Sequence, residues 1–142
     1  MATEEMYKEL ILDLYRHPLN KKVLADFDVE HREFNPTCGD DVTIQIKFDE
    51  EGRVADIGHQ GVGCAISQAA VSLLTDDVKG KKKEDIKNIT EDGMMKLLGF
   101  EVVYARRKCA LLGLYTLQRS LVTQAFRPDV KPEGLSYSDY VN

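Results

Sequence analysis

The sequence predicts an α+β fold, a small antiparallel sheet of about three strands packed against helices, and three observations carry that prediction. Residues 42–48, VTIQIKF, alternate apolar Val42, Ile44, Ile46 and Phe48 with Thr43, Gln45 and Lys47, the two-residue period of a strand with one buried face. DEEG at 49–52 supplies a turn and RVADIG at 53–58 a returning strand, so the middle of the chain reads as an antiparallel meander. On both sides of that meander apolar residues recur at helical spacing. At 142 residues the chain has the size of about one domain and can bury a hydrophobic core without disulfides.

Taken in order, Met6, Tyr7, Leu10, Ile11, Leu14 and Tyr15 form the apolar stripe of a first helix over 4–16, stopped by His17-Pro18. After the polar link LNKKVLA, the stretch DFDVEHREF alternates more weakly through Phe27 and Val29 and ends at Asn35-Pro36, as an edge strand would. Beyond the meander, the three glycines of GHQGVG allow a tight backbone path into a helix over 64–78 that begins at Cys64 and carries Ile66, Ala69, Ala70, Leu73 and Leu74. KGKKKEDIKNITEDGMMKLLGF reads as a solvated, lysine-rich junction, a short helix near 84–89 and another near 91–98 stopped by Gly99. Met94 and Met95 are read there as core packing. Leu111, Leu114, Tyr115, Leu117, Gln118 and Leu121 mark a final helix over 107–126, with Cys109 in its first turn. The remaining RPDVKPEGLSYSDYVN has two prolines and no period, so residues 1–126 are expected to form the domain and 127–142 a flexible tail.

Nineteen basic against 24 acidic residues leave a net charge of −5, which argues against a sequence-independent nucleic-acid binder. No apolar run approaches the ~20 residues that span a bilayer, and MATEEMYKEL is acidic, unlike a targeting segment. The expectation is a cytoplasmic protein with neither membrane nor nucleic acid as partner.

Three cysteines, Cys38, Cys64 and Cys109, are an odd number at wide spacing. In a reducing compartment such cysteines are apolar fillers, metal ligands or nucleophiles more often than disulfide partners. Cys64 and Cys109 start helices, where the dipole and free N–H groups favour a thiolate, and Cys38 precedes Gly39 in a loop. If loop and helix starts share one end of the sheet, the three sulfurs converge with Asp40 as a fourth group. Three thiolates and a carboxylate suit tetrahedral Zn²⁺ or an iron–sulfur cluster. The carboxylate is the harder ligand and the easier to displace, as in a site built to open. Arg106, Arg107 and Lys108 would offset part of the excess negative charge.

Spacing alone leaves inert cysteines as the ordinary alternative, since there is no CxxC pair. Asp40 has the alternative of a turn residue capping its own backbone, and Asp41 reads as a surface acid. Gly39, Gly61 and Gly63 read as backbone requirements, and Lys108 either tunes the site, docks an acidic partner or is simply solvated. His17 reads as a helix stop, His31 as a strand-surface residue and His59 as a loop polar group within reach of the site.

The opening MYKELILDLYRHPLNK with NPTCGD, GVGCAISQAAVSLLTDDVKGK and RRKCALL, in this order, resembles the iron–sulfur cluster assembly scaffold family of IscU, SufU and the N-terminal domain of NifU, over residues 6–121. The resemblance implies a SufE/NifU-like α+β fold with a three-stranded sheet. It also implies a site at Cys38, Asp40, Cys64 and Cys109 for zinc or a cluster, a 2Fe–2S cluster being the expected form. The implied partners are a cysteine desulfurase of the SufS, IscS or NifS type, which hands over sulfur as a persulfide, and acceptor apo-proteins. Lys108 stands where IscU-type members have histidine, and VVYARR stands where they have a Leu-Pro-Pro-Val-Lys segment. Histidine ligation and coupling to an Hsp70-type chaperone are therefore in doubt. The motifs are most similar to SufU, whereas the interval from Cys64 to Cys109 is too short for the extra segment usual there. The persulfide acceptor is expected to be Cys38 in a SufU-like relay and Cys109 in an IscU-like mechanism. Two other functions remain open: a zinc-dependent sulfurtransferase that activates a SufS-type desulfurase without building a cluster, and a non-catalytic zinc-stabilised interaction module.

Overall fold

A computed structural model describes residues 4–36, 39–99 and 101–126. The expected tail, 127–142, and Cys38 lie outside the described residues. The chain runs α1 (Glu4–Arg16), β1 (Val29–Asn35), β2 (Asp40–Phe48), β3 (Val54–Val62), α2 (Ala65–Asp77), α3 (Lys83–Lys87), α4 (Glu91–Leu98), a 3₁₀ turn (Tyr104–Arg106) and α5 (Arg107–Phe126). The strands form one antiparallel sheet in the order β1-β2-β3, which is the predicted α+β architecture.

The alternation in VTIQIKF sets the sheet's inner face. Val42, Ile44 and Ile46 are buried there beside Val29 of β1 and Val54 and Ile57 of β3. Covering them, α5 packs on β1 and β2, and α2 packs on β3 and α5. The buried Val71, Leu74, Leu111, Leu112, Leu114 and Leu117 complete one core. α2 and α5 approach closely because Gly113 has no side chain: a Cβ there would stand 3.2 Å from Val71 Cβ. Gln118, expected on the apolar stripe, donates from Nε2 to the carbonyls of Ile86 and Ile89 at 3.1 and 2.8 Å, tying α5 to the α3–α4 connection.

Several expectations are corrected. β1 begins at Val29, and Phe27 is exposed, because Asp28 caps the end of the neighbouring strand: its carboxylate accepts the Phe48 N–H at 2.8 Å. β3 runs on through the glycines to Val62, where a path out of the sheet was expected. Gly61, at φ 130°, lies against the Asp41 carbonyl so tightly that no side chain fits, so the glycine keeps the strand paired. The turn before β3 also needs a glycine, Gly52 at φ 79°. A 3₁₀ turn that periodicity did not predict precedes α5. In α1 the expected stripe is split: Leu14 is buried and α1 packs on α2, whereas Met6 and Tyr15 remain more than half exposed, at 56% and 51%.

The junction behaves as predicted. Lys81 and Lys79 pair with Asp77 and Asp76 at 2.8 and 3.6 Å on the surface, and α4 is capped by the Thr90 hydroxyl and ended by left-handed Gly99. Met94 is buried in the core, and Met95 packs against it. No helix among the described residues is long and apolar enough to cross a membrane.

Two histidines differ from expectation. His31 is mostly buried and contacts the Glu33 carboxylate, which also pairs at 3.1 Å with Arg119 of α5. His59 is a buried residue of β3, opposite Ile44. Its Nε2 is 2.8 Å from the Leu19 carbonyl and its backbone N–H donates to the Asn20 carbonyl at 3.0 Å, so it straps the segment after α1 onto the sheet. Burial lowers the His59 pKa, with Lys21 adding a smaller push in the same direction against the Leu19 bond. Since the folded pKa lies below the unfolded value near 6.5, the stabilisation from neutral His59 is complete above that value and declines as pH falls through it. Between about pH 7.5 and about pH 5 the wild type is expected to lose more unfolding free energy in urea than His59→Gln, by at most about 1.4 kcal/mol per pH unit. Equal slopes for the two proteins would contradict this.

Candidate metal centre

Register decides which residues meet at one end of the sheet. Asp40 opens β2 and pairs with the last residue of β1, Asn35, while Asp41 pairs with Val62, the last residue of β3. The chain leaving β3 therefore passes Asp40 at Gly63, and Cys64 follows as the N-cap of α2. α5 crosses β1 and β2 and packs on α2, which brings Cys109, in its first turn, to the same place. One ligand atom from each of Asp40, Cys64 and Cys109 lies within 4.8 Å of the others. Asp40 belongs to the central strand of the sheet and to its end, not to an edge strand.

The three groups differ in their surroundings. Asp40 is buried; its Oδ1 accepts the Cys64 backbone N–H at 2.9 Å, and its Oδ2 has no hydrogen-bond partner among the described residues. The expected alternative, Asp40 as a cap on its own turn, is thus replaced by a bond to a different element. Cys64 is half-buried and Cys109 fully buried, both free thiols. Helix-start positions were expected to favour thiolates, but burial reverses this at Cys109. Loss of hydration pushes its pKa well up, and proton sharing with Asp40 and the nearness of Cys64 add to the effect. Without a cation, Cys109 keeps its proton.

A buried carboxylate oxygen with no donor is costly unless something positive meets it. Two soft sulfurs and one hard oxygen fit a zinc ion or an iron–sulfur unit: bonds of about 2.0–2.3 Å in a tetrahedron set ligand atoms about 3.3–3.8 Å apart, a contraction of about 1 Å from the 4.8 Å within which these atoms lie. Tetrahedral zinc takes a fourth ligand. Cys38, on the connection between β1 and β2, is the remaining residue of the expected set and lies outside the described residues.

The neighbouring groups sort differently from their sequence reading. Arg107, expected to offset the charge of the site, is 3.5 Å from Glu91, which also accepts the Tyr115 hydroxyl at 2.6 Å. Lys108 is half-buried and Arg106 exposed. Asp41 is held by Arg32 through two bonds of 2.9 and 2.7 Å, which lower its carboxyl pKa. His59 is engaged with the segment after α1. Sequence reasoning missed Ser67, buried one turn into α2, whose hydroxyl donates to the Cys64 carbonyl at 3.1 Å. Its placement one helical turn after Cys64 was the available signal.

A three-stranded sheet under two long helices, with a carboxylate and two thiols gathered at one end, defines an α+β domain with a candidate centre for a thiophilic metal. The family model described as "NifU-like N terminal domain" matches residues 6–129, and the chain belongs to that family. Among curated relatives, the chain is 32% identical to the zinc-dependent sulfurtransferase SufU of Bacillus subtilis, over 85% of this chain and 92% of that protein. It is 34% identical to the iron–sulfur cluster assembly scaffold protein IscU 1 of Archaeoglobus fulgidus, over 82% and 75% of the two chains. The solved structure of a SufU protein from Fervidobacterium islandicum superimposes with a TM-score of 0.68 at 25% identity, covering 84% of this chain and 99% of that one.

Proposed function

We propose that this chain is an iron–sulfur cluster assembly scaffold that holds zinc or a nascent cluster on Cys38, Asp40, Cys64 and Cys109 and takes its sulfur from a cysteine desulfurase. The observation that carries the reading is the buried Asp40 carboxylate, whose Oδ2 has no donor among the described residues and one of whose oxygens lies within 4.8 Å of the sulfurs of Cys64 and Cys109. Family membership and the names of the relatives support it.

The residues divide the work. Cys64 and Cys109 would hold the metal through soft sulfur, and Asp40 would add a harder oxygen, the ligand easier to displace. Sulfur arrives when a cysteine thiolate of this chain attacks the outer sulfur of the desulfurase persulfide. A new S–S bond forms, the old S–S bond breaks, and its electron pair leaves on the desulfurase cysteine. Burial of Cys109 counts against it as the first acceptor, because an incoming persulfide needs an accessible sulfur, and Cys38 is the acceptor of the SufU-like relay. The receivers of the product are acceptor apo-proteins, and the place of action is the cytoplasm.

A second reading, a SufU-like relay in which zinc stays and only sulfur moves on, is favoured by the relative named a zinc-dependent sulfurtransferase and by Lys108 beside Cys109. Anaerobic reconstitution with ferrous iron, cysteine and a desulfurase separates the two. A cluster chromophore, longer-lived in Asp40→Ala, is the expected result. A colourless zinc form that accelerates sulfur release would establish the relay. Neither colour nor stimulation would leave only the interaction module.

A further inference from the structure

Asp40 is a residue of β2, yet it caps another element. Cys64, the N-cap of α2, makes no side-chain cap bond of its own, and its N–H is taken by Asp40 Oδ1 at 2.9 Å. Oδ2 is left buried and without a partner among the described residues. What lets the carboxylate lie there is the residue between them. A Cβ built on Gly63 would stand 2.6 Å from Asp40 Oδ1 and 3.2 Å from its Cγ, and would also collide with the Ser67 hydroxyl. Gly39 and Gly61 are required by positive φ; Gly63 has none, so its requirement is space.

We propose that Gly63 is a positioning residue that divides the Asp40 carboxylate between two tasks, Oδ1 fixed on the Cys64 amide and Oδ2 offered to the metal as a single-oxygen ligand. The proposal rests on the reading of Asp40, Cys64 and Cys109 as a metal centre. It accounts for how such a site can release its contents and keep its shape. A competing ligand that displaces Oδ2 leaves Oδ1 on the Cys64 amide, so the start of α2 and the Cys64 sulfur hold their places. A side chain at 63 forces the carboxylate away from the amide, which uncaps α2 and misdirects Oδ2 together.

The test uses the full chain and two readouts: zinc affinity by chelator competition, and protection of the Cys64 amide against hydrogen exchange in the metal-free protein. Gly63→Ala is expected to weaken zinc binding about 10–100-fold, the range for groups that orient a ligand. In an Asp40→Ala background it is expected to cause no further loss beyond about twofold, because its effect passes through that carboxylate. Protection of the Cys64 amide is expected to fall in Gly63→Ala and Asp40→Ala and to survive in Asp40→Asn, whose amide oxygen still accepts. Unchanged zinc affinity in Gly63→Ala, or the same loss in both backgrounds, would overturn the proposal while the metal reading stood. Wild-type protein that binds no zinc would remove the metal reading, and with it the role of Oδ2. Should Gly63→Ala fail to fold, the Asp40 pair decides: equal loss of Cys64 protection in Asp40→Asn and Asp40→Ala overturns the division of the two oxygens.

Discussion

Cys109→Ser is expected to weaken zinc binding by more than about 100-fold, beyond the 10–100-fold typical of outer-shell partners, and to prevent cluster formation. Cys109 is fully buried in the first turn of α5, with Asp40 and Cys64 as its polar neighbours at the site. Serine keeps the shape but offers a hydroxyl that stays protonated, so the site loses a soft anionic ligand while its cavity is preserved. The same burial predicts how the wild type responds to pH. The Cys109 thiol has a raised pKa and is protonated when no metal is present, so a metal must release that proton on binding. Affinity is expected to fall as pH falls, by about tenfold per pH unit for each proton released. Chelator competition at several pH values checks both results. Zinc affinity within about threefold of wild type in Cys109→Ser would remove Cys109 from the ligand set.

The second large effect lies where β1 meets α5. Arg119 and Glu33 are buried and paired at 3.1 Å, and His31 contacts the same carboxylate oxygen. Arg119→Met keeps most of the volume but leaves Glu33 as a buried carboxylate without its guanidinium, and such changes cost about 3–5 kcal/mol. The double variant Glu33→Gln, Arg119→Met is expected to recover most of that loss, because the penalty belongs to the buried charge that has lost its guanidinium. Urea unfolding of the metal-free proteins measures both, and a loss below about 1 kcal/mol in Arg119→Met would show the pair to be replaceable. The position of the pair connects it to the site. Glu33 lies two residues before Asn35, the partner of Asp40, and Arg119 lies on the helix that carries Cys109. The pair ties β1 to α5, the helix whose first turn holds Cys109.

Elements with a strong period could be read from the sequence, and those set by contact could not. The alternation in VTIQIKF and the helical spacing over 107–126 gave β2 and α5, since one face of each must be buried. β3 was cut short because glycines signal turns locally, while here Gly61 lets the Asp41 backbone approach a continuing strand. The stripe on α1 gave the helix but not which of its residues would be covered. At the site, residue types and motif order pointed to Asp40, Cys64 and Cys109 and to the family, because ligand chemistry is written in side chains. Their electrostatics were not legible. Helix-start position suggested an ionised Cys109, and burial by the core behind it produced the opposite. The bonds from Asp40 to the Cys64 amide and from Arg119 to Glu33 join residues 24 and 86 positions apart, and only the fold brings them together.

X-ray absorption at the zinc edge, on zinc-loaded wild type and on Cys109→Ser, tests the central claim most directly. A four-ligand centre of three cysteines and Asp40 predicts sulfur neighbours at about 2.3 Å and one oxygen at about 2.0–2.2 Å in the wild type, with a sulfur fewer or no bound zinc in the variant. A shell of nitrogen and oxygen alone, or the same sulfur count in both proteins, would contradict it.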